Sequence, residues 1–185
     1  MHIMYNSINK KQIILVRHAH AIEADEFEGR DFDRPLSEKG REHATIMTRY
    51  LRLIGVRPDA VIASPATRTR ETAEIMCGEY NIKNIELIKD LYFGNKWKER
   101  DGNQVHLKLI KKTTNDTDIL MLVWHNDDIT EFARYLSNDG VPSLKKWELV
   151  VLSFPSDYSW DDIVPGELSL LYYITPQFLK LEALV

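Results

Sequence analysis

Ile13-Ile14-Leu15-Val16 is an unbroken aliphatic run that stops at Arg17-His18. It lacks the alternation of a half-wetted strand and predicts a strand over 12–16 that is buried on both faces. Asp118-Ile119-Leu120-Met121-Leu122-Val123-Trp124 predicts a second buried strand, ending beside His125. Shorter apolar stretches predict strands over 60–63 and 85–88, and two late ones over 147–154 and 168–174. Helices are expected between them. One runs from the Ser37 cap, with Glu38 in its first turn, to about Leu53, where Gly55 supplies a stop. Another runs from Pro65 to about Glu79, with Ser64 as its cap. Two more are expected over 103–112 and 129–136. Strands alternating with helices predict a three-layer α/β fold, with a mostly parallel central sheet and helices on both faces. The late strand pair leaves room for an antiparallel member. The acidic segment through Arg34 reads as irregular. Residues 1–11 read as a loosely attached amino-terminal segment of a single domain over 1–185.

In open α/β sheets the ligand crevice lies past the carboxyl ends of the strands. Three such ends here carry charged or nucleophilic groups. The first is Arg17-His18. The second is Ser64-Pro65-Ala66-Thr67-Arg68, which places Arg68 in the opening turn of a helix, where backbone amides and the helix dipole already favour an anion. The third is His125, with Asn126 and Asp127 available to cap the following helix. A guanidinium holds a phosphate through two parallel hydrogen bonds, and a neutral imidazole can attack one.

Composition narrows the function classes. With 185 residues and a net charge of −4, the chain lacks the broad basic surface of a nucleic-acid binder, though a local cationic pocket for an anion remains open. No stretch approaches the roughly 18 apolar residues of a membrane span, and no signal-peptide pattern is evident. A single cysteine, Cys77, excludes an internal disulfide framework. It fits a reducing compartment, with the cytoplasm as the expected location, and its apolar neighbours mark it as a packing residue.

Taken together these motifs resemble the histidine phosphatase superfamily, which includes the phosphoglycerate mutases, and within it the SixA-like phosphohistidine phosphatases. Val16-Arg17-His18-Ala19 resembles the family's Arg-His-Gly motif. Arg34-Pro35-Leu36-Ser37-Glu38-Lys39-Gly40 is similar to the Arg-Pro-Leu-Thr/Ser-x-x-Gly segment of the SixA-like branch. Ser64-Pro65-Ala66-Thr67-Arg68-Thr69-Arg70-Glu71-Thr72 is similar to Ser-Pro-x-x-Arg-x-x-x-Thr. His125-Asn126 resembles the second catalytic histidine motif, and Tyr172 to Leu179 resembles the ending of that branch. The resemblance implies His18 as a nucleophile that forms a phosphohistidine intermediate. It implies Arg17, Arg68 and His125 as the phosphoryl clamp, and no metal or cofactor. Arg34 and Asn126 are expected beside them in substrate binding. The expected partner is a phosphohistidine-bearing protein or a small phosphorylated molecule, with neither nucleic acid nor membrane involved. The alternatives are a sugar- or nucleotide-phosphate phosphatase or mutase of the same superfamily, and a phosphate-recognising module without turnover.

Two departures bear on that choice. Mutase-like relatives carry a glutamate acid after the third strand, whereas Asp90-Leu91-Tyr92-Phe93-Gly94-Asn95 offers none, leaving Asp90, Glu23 and Asp25 as substitutes. Trp124 stands where relatives have a small residue; its indole either lines the pocket or faces the core. Among the other candidates, Arg34 either extends the positive rim or pairs with Asp31 or Asp33. Arg70 is directed away from Arg68. His18-Ala19-His20 with His125 lacks the acidic or cysteine ligand that a metal site would want, so none is expected. His20 is expected at the cleft or in solvent, and His43 and His106 on the surface. The dispersed aromatics Trp147, Phe154, Tyr158, Trp160, Tyr172 and Tyr173 are expected in core or loop packing.

Overall fold

The computed structural model describes residues 10–92, 102–137, 140–155 and 157–176. Six strands form one sheet: β1 (Lys10–Arg17), β2 (Ala60–Ala63), β3 (Glu86–Leu87), β4 (Ile119–Trp124), β5 (Leu149–Pro155) and β6 (Ser169–Ile174). Their order is β3-β2-β4-β1-β5-β6. The pairs β3–β2, β2–β4 and β4–β1 are parallel, and β5 runs against both β1 and β6. The antiparallel member therefore does lie in the late pair.

The two central strands are apolar over Ile13–Val16 and Ile119–Trp124 because each covers two cores there. Ile13 and Leu15 point to one face, where Leu107, Ile110, Ile129 and Phe132 meet them from helices α3 (Gly102–Ile110) and α4 (Asp128–Ser137). Ile14 and Val16 point to the other face, against Met47, Leu51, Ala73 and Met76 from α1 (Glu38–Leu53) and α2 (Thr67–Tyr80). Cys77 is buried in that second core, and burial pushes its thiol up to about 11, as befits a packing residue.

Several boundaries moved for identifiable reasons. Strand β1 begins at Lys10 because Lys11 pairs with Phe154 and its ammonium donates to the carbonyls of Asn115 and Thr117. Residues 10 and 11 therefore belong to the sheet rather than to the amino-terminal segment. Helix α2 starts at Thr67 with Ala66 at its cap, not at Ser64, whose hydroxyl is used elsewhere. Trp147 precedes β5 instead of opening it. It sits at φ 64° in the left-handed region, with its N–H donating to the His18 carbonyl at 3.1 Å. Phe93, Gly94 and Asn95 lie outside the described residues, as do Gln177 to Leu179.

Two histidines expected on the surface are buried. His43 shares a stripe of α1 with Met47 and Leu51, at four-residue spacing, and meets the Trp147 ring edge-on at 4.2 Å. His106 precedes Ile110 by four residues on α3 and packs 4.1 Å from the Trp124 ring, with both its nitrogens lacking a hydrogen-bond partner. Burial holds His106 down to about 4, so it is neutral in the native protein near pH 7.

Trp124 faces the core. It is fully buried between His106 and Phe132, and its indole N–H donates to the Leu91 carbonyl. Trp124→Gly should therefore cost about 3–5 kcal/mol of stability by opening a cavity. Chemical denaturation should show that loss beside an unchanged order of preference among aryl and sugar phosphates; an altered order with little loss of stability would place the indole at the pocket after all.

His106 gives a second prediction. Its folded pKa lies below the unfolded value of about 6.5, so the stability it contributes is complete above that value and disappears as pH falls toward about 4. Thermal midpoints should fall over that window, and His106→Leu should make the fall shallower. An unchanged slope would mean that other groups carry it.

Candidate active site

The strands β1 and β4 end in register, with Arg17 opposite Trp124, so the next residues, His18 and His125, emerge side by side. Their rings stand 5.3 Å apart in an edge-on arrangement. The His18 backbone is held from two directions: its N–H donates to the Trp124 carbonyl at 3.0 Å, and its carbonyl accepts from Trp147. Strand β2 ends one position away, where the Ser64 N–H donates to the Val123 carbonyl.

Each functional side chain has a local support. His18 Nδ1 lies 2.7 Å from the Ala19 carbonyl. A carbonyl only accepts, so Nδ1 carries the hydrogen and Nε2 keeps its lone pair. This backbone carbonyl is the acceptor that orients the ring. Burial, reinforced by the charges of Arg68, Arg17 and Arg34, lowers His18 to about 3 against the opposing pull of the Ala19 hydrogen bond. The imidazole is thus neutral and nucleophilic near pH 7.

His125 Nε2 lies 2.9 Å from Ser64 Oγ. Burial, then the surrounding positive charge, pushes His125 well below its ordinary value. For Nδ1 to meet an oxyanion it must bear the hydrogen, and Ser64 then donates its hydroxyl to Nε2. Arg17 donates through one terminal nitrogen to the Leu144 carbonyl at 2.6 Å. Arg68 donates through both terminal nitrogens to Asp31, at 2.7 Å to its carbonyl and 2.9 Å to its carboxylate.

After these bonds, Arg17 Nε, Arg68 Nε and His125 Nδ1 remain buried without partners. Buried polar groups without partners are rare in folded proteins and call for an explanation such as a bound ion or a catalytic role. Three of them from the ends of β1, β4 and the start of α2, around an imidazole with one free nitrogen, make a site suited to a tetrahedral oxyanion. Among the described residues no group of three or more His, Cys, Asp or Glu side chains is placed to share a metal ion.

The remaining candidates are placed as follows. Arg34 pairs with Asp31 through Nε and a terminal nitrogen at 3.0 and 2.7 Å, and its other terminal nitrogen donates to the Ile22 carbonyl. Its charge still reaches both His18 and His125. The Asn126 amide is engaged with Thr130 and Asp127 at the turn into α4. Glu23 is exposed and tied to His20 and Lys146 at 3.0 and 3.1 Å, which holds it in its ionised form. Arg70 pairs with Glu74 on the exposed side of α2. Asp90 and Asp25 are both exposed.

Sequence reasoning missed four supporting residues. Thr72 Oγ1 accepts from the Ala19 N–H at 3.0 Å and donates back to the Arg68 carbonyl, tying the segment after His18 to α2. Gly40 lets α1 approach the same segment: a Cβ there would lie 2.1 Å from the His20 carbonyl oxygen. The remaining two, Asp31 and Tyr92, meet each other, and the Tyr92 ring stands 5.8 Å from that of His125. The fixed spacing from Arg68 to Thr72 and from Arg34 to Gly40 was a usable signal for the first pair. Asp31 was legible only as a partner for Arg34, a pair that the structure shows, while its bond to Arg68 and the position of Tyr92 had no signal in the sequence.

Comparison with known proteins identifies the family and the fold. The family model of the histidine phosphatase superfamily (branch 1) matches residues 13–118, and the chain belongs to that superfamily. Its fold is similar to a structure assigned to phosphohistidine phosphatase SixA of Agrobacterium tumefaciens, at 26% identity and a TM-score of 0.70, covering 90% of this chain and 99% of that one. The fold is also similar to the protein histidine phosphatase SixA solved with tungstate, at 15% identity and a TM-score of 0.69, covering 91% and 99%. An uncharacterized chloroplastic protein of Arabidopsis thaliana is 31% identical over 134 residues, covering 71% of this chain. The chain spans 61% of that relative's length.

If the clamp holds a phosphoryl group, Arg68→Lys should lower turnover roughly 10²-fold, because an ammonium cannot replace a guanidinium that bonds Asp31 with its tips while presenting Nε. Steady-state kinetics on p-nitrophenyl phosphate would show it; near-native kinetics would remove Arg68 from the phosphate.

Proposed function

We propose that the chain is a metal-independent phosphatase working through a phosphohistidine on His18, with phosphohistidine in a protein as its substrate class. The observation that carries the reading is the neutral His18, fixed by the Ala19 carbonyl with Nε2 free, among the unpartnered Arg17 Nε, Arg68 Nε and His125 Nδ1. In the first step the Nε2 lone pair attacks phosphorus and the bond from phosphorus to the substrate nitrogen breaks, its electron pair leaving with the departing ring. In the second, water attacks the same phosphorus and gives up a proton to solvent, and the bond to Nε2 breaks with its electron pair returning to the ring, which yields inorganic phosphate and restored neutral His18. Charge gathers on the equatorial oxygens, where two guanidinium groups and an imidazole N–H stabilise it.

The leaving group decides the substrate class. An alkoxide needs a proton donor. A phosphoimidazole protonated on its other nitrogen, with a pKa near the imidazole value of about 6.5, departs as neutral imidazole without an enzyme acid. Glu23 is held ionised by Lys146, so it is a poor acid. Arg34 completes the positive surround in this reading, and Asn126 shapes the turn that carries His125. The reading as a phosphate binder without turnover loses its support, since it depended on Trp124 obstructing the pocket and Trp124 is buried in the core. No helix among the described residues is long and apolar enough to cross a membrane.

A substrate panel tests the proposal. A phosphohistidine protein should be hydrolysed with a kcat/KM well above that for sugar phosphates, and p-nitrophenyl phosphate, whose leaving group is good, should fall between. His18→Ala should abolish all three while leaving the folded state intact. Preference for sugar phosphates would overturn the substrate class, and retention of more than a few per cent of activity in the variant would remove His18 as the nucleophile.

A further inference from the structure

Asp31 occupies an unusual position for a carboxylate beside an anion site. It stands at the start of a single 3-10 turn, Asp31–Asp33, with its side chain half exposed. One carboxylate oxygen receives Arg68 at 2.9 Å, and the other receives Arg34 Nε and a terminal nitrogen at 3.0 and 2.7 Å. The Tyr92 hydroxyl also bonds this carboxylate. Burial works to raise its pKa, but the hydrogen bond from Arg34 and the charge of Arg68 outweigh it and hold the carboxyl below the usual carboxylate range. Asp31 is therefore ionised wherever the enzyme would work.

Two consequences follow from the bonding. Arg34, whose charge reaches both His18 and His125, has all three of its nitrogens engaged, by Asp31 and by the Ile22 carbonyl. The same segment also carries Asp25, Glu26 and Glu28 at exposed positions. Next to the clamp there is thus a bound carboxylate, and the arginine beside it, Arg34, is already engaged.

Resting on the phosphatase reading above, we propose that Asp31 is a specificity-determining residue: it disfavours substrates carrying a second anionic group beside the phosphoryl, and so favours a phosphoryl group on an uncharged or cationic carrier such as a histidine side chain. The clamp keeps donors for one phosphoryl group, Arg17 Nε, Arg68 Nε and His125 Nδ1, while a neighbouring carboxylate or second phosphate meets a like charge. Like-charge juxtaposition is an effective way to reject a competitor that the attractive contacts alone would accept.

The test compares p-nitrophenyl phosphate, which has a single anionic group, with 3-phosphoglycerate, which has two. Asp31→Asn keeps the shape and an acceptor for Arg68 while removing the charge. It should raise kcat/KM for 3-phosphoglycerate relative to p-nitrophenyl phosphate by about fivefold at low salt, the scale of one half-exposed charge at close range, with the gain shrinking as salt screens it. Paired substitution of Glu26→Gln and Glu28→Gln, at exposed positions outside the clamp, should leave p-nitrophenyl phosphate turnover unchanged and give a smaller shift of the same sign. An unchanged ratio in Asp31→Asn, or an equal loss on both substrates, would overturn the proposal and reduce Asp31 to a prop for Arg68. Calorimetry separates this from failure of the phosphatase reading. Should wild type turn over neither compound, tighter binding of 3-phosphoglycerate relative to inorganic phosphate by Asp31→Asn would still support the charge assignment, and an unchanged binding ratio would refute it.

Discussion

The parallel register between β1 and β4 is the constraint on which the site depends. It sets Arg17 opposite Trp124, so the chain delivers two imidazoles to one sheet edge, and it leaves the His18 N–H bonded to the Trp124 carbonyl. A slip of one residue would turn every side chain of β1 to the opposite core and carry Arg17 and His18 to the wrong faces. Because Ile13–Val16 is apolar on both faces, polarity alone does not fix the register there; the polar ends of β1 do, with Lys11 donating to the Asn115 and Thr117 carbonyls and Arg17 to the Leu144 carbonyl. The aliphatic run identifies the strand, and the polar residues at its two ends fix where it stops and so where His18 stands.

Around that register the supporting bonds act on orientation and protonation more than on position. The Ala19 carbonyl chooses the tautomer of His18, Ser64 engages the far nitrogen of His125, and Thr72 ties the intervening segment to the helix bearing Arg68. Burial lowers the pKa of both rings, so neither carries charge at rest and the arginines supply the positive field alone. Such outer bonds suit an imidazole that would otherwise be partly protonated to the nucleophilic role proposed for it. Asp31 belongs to the same layer, but its charge opposes the field of the clamp, which is the basis of its proposed bearing on the choice of substrate.

The sheet, its helices and the positions of His18, Arg68 and His125 were legible in the chain because each rests on periodicity or on a strand end followed by a cap. Bonds that join residues far apart in sequence were not. Ser64 reads as a helix cap by every local rule, yet its hydroxyl turns to His125, 61 residues away. His43 and His106 carry the stripe spacing of buried residues, but their polarity argued for the surface, and the aromatic rings that other elements pack against them were not visible in the sequence. Trp124 was ambiguous because its strand is apolar on both sides. The Leu91 carbonyl, which accepts its N–H in the core, becomes visible only once the fold is assembled.

The central claim is that His18 Nε2 is the phosphoryl acceptor. Rapid mixing with a phosphohistidine protein or p-nitrophenyl phosphate, an alkaline quench that preserves phosphoramidates, and peptide mass spectrometry test it directly. A transient phosphoryl group on the peptide containing His18, absent in His18→Ala and lost at a rate that keeps pace with turnover, is the predicted result. Turnover with no label on His18, or with a stable label on another residue, would contradict the account.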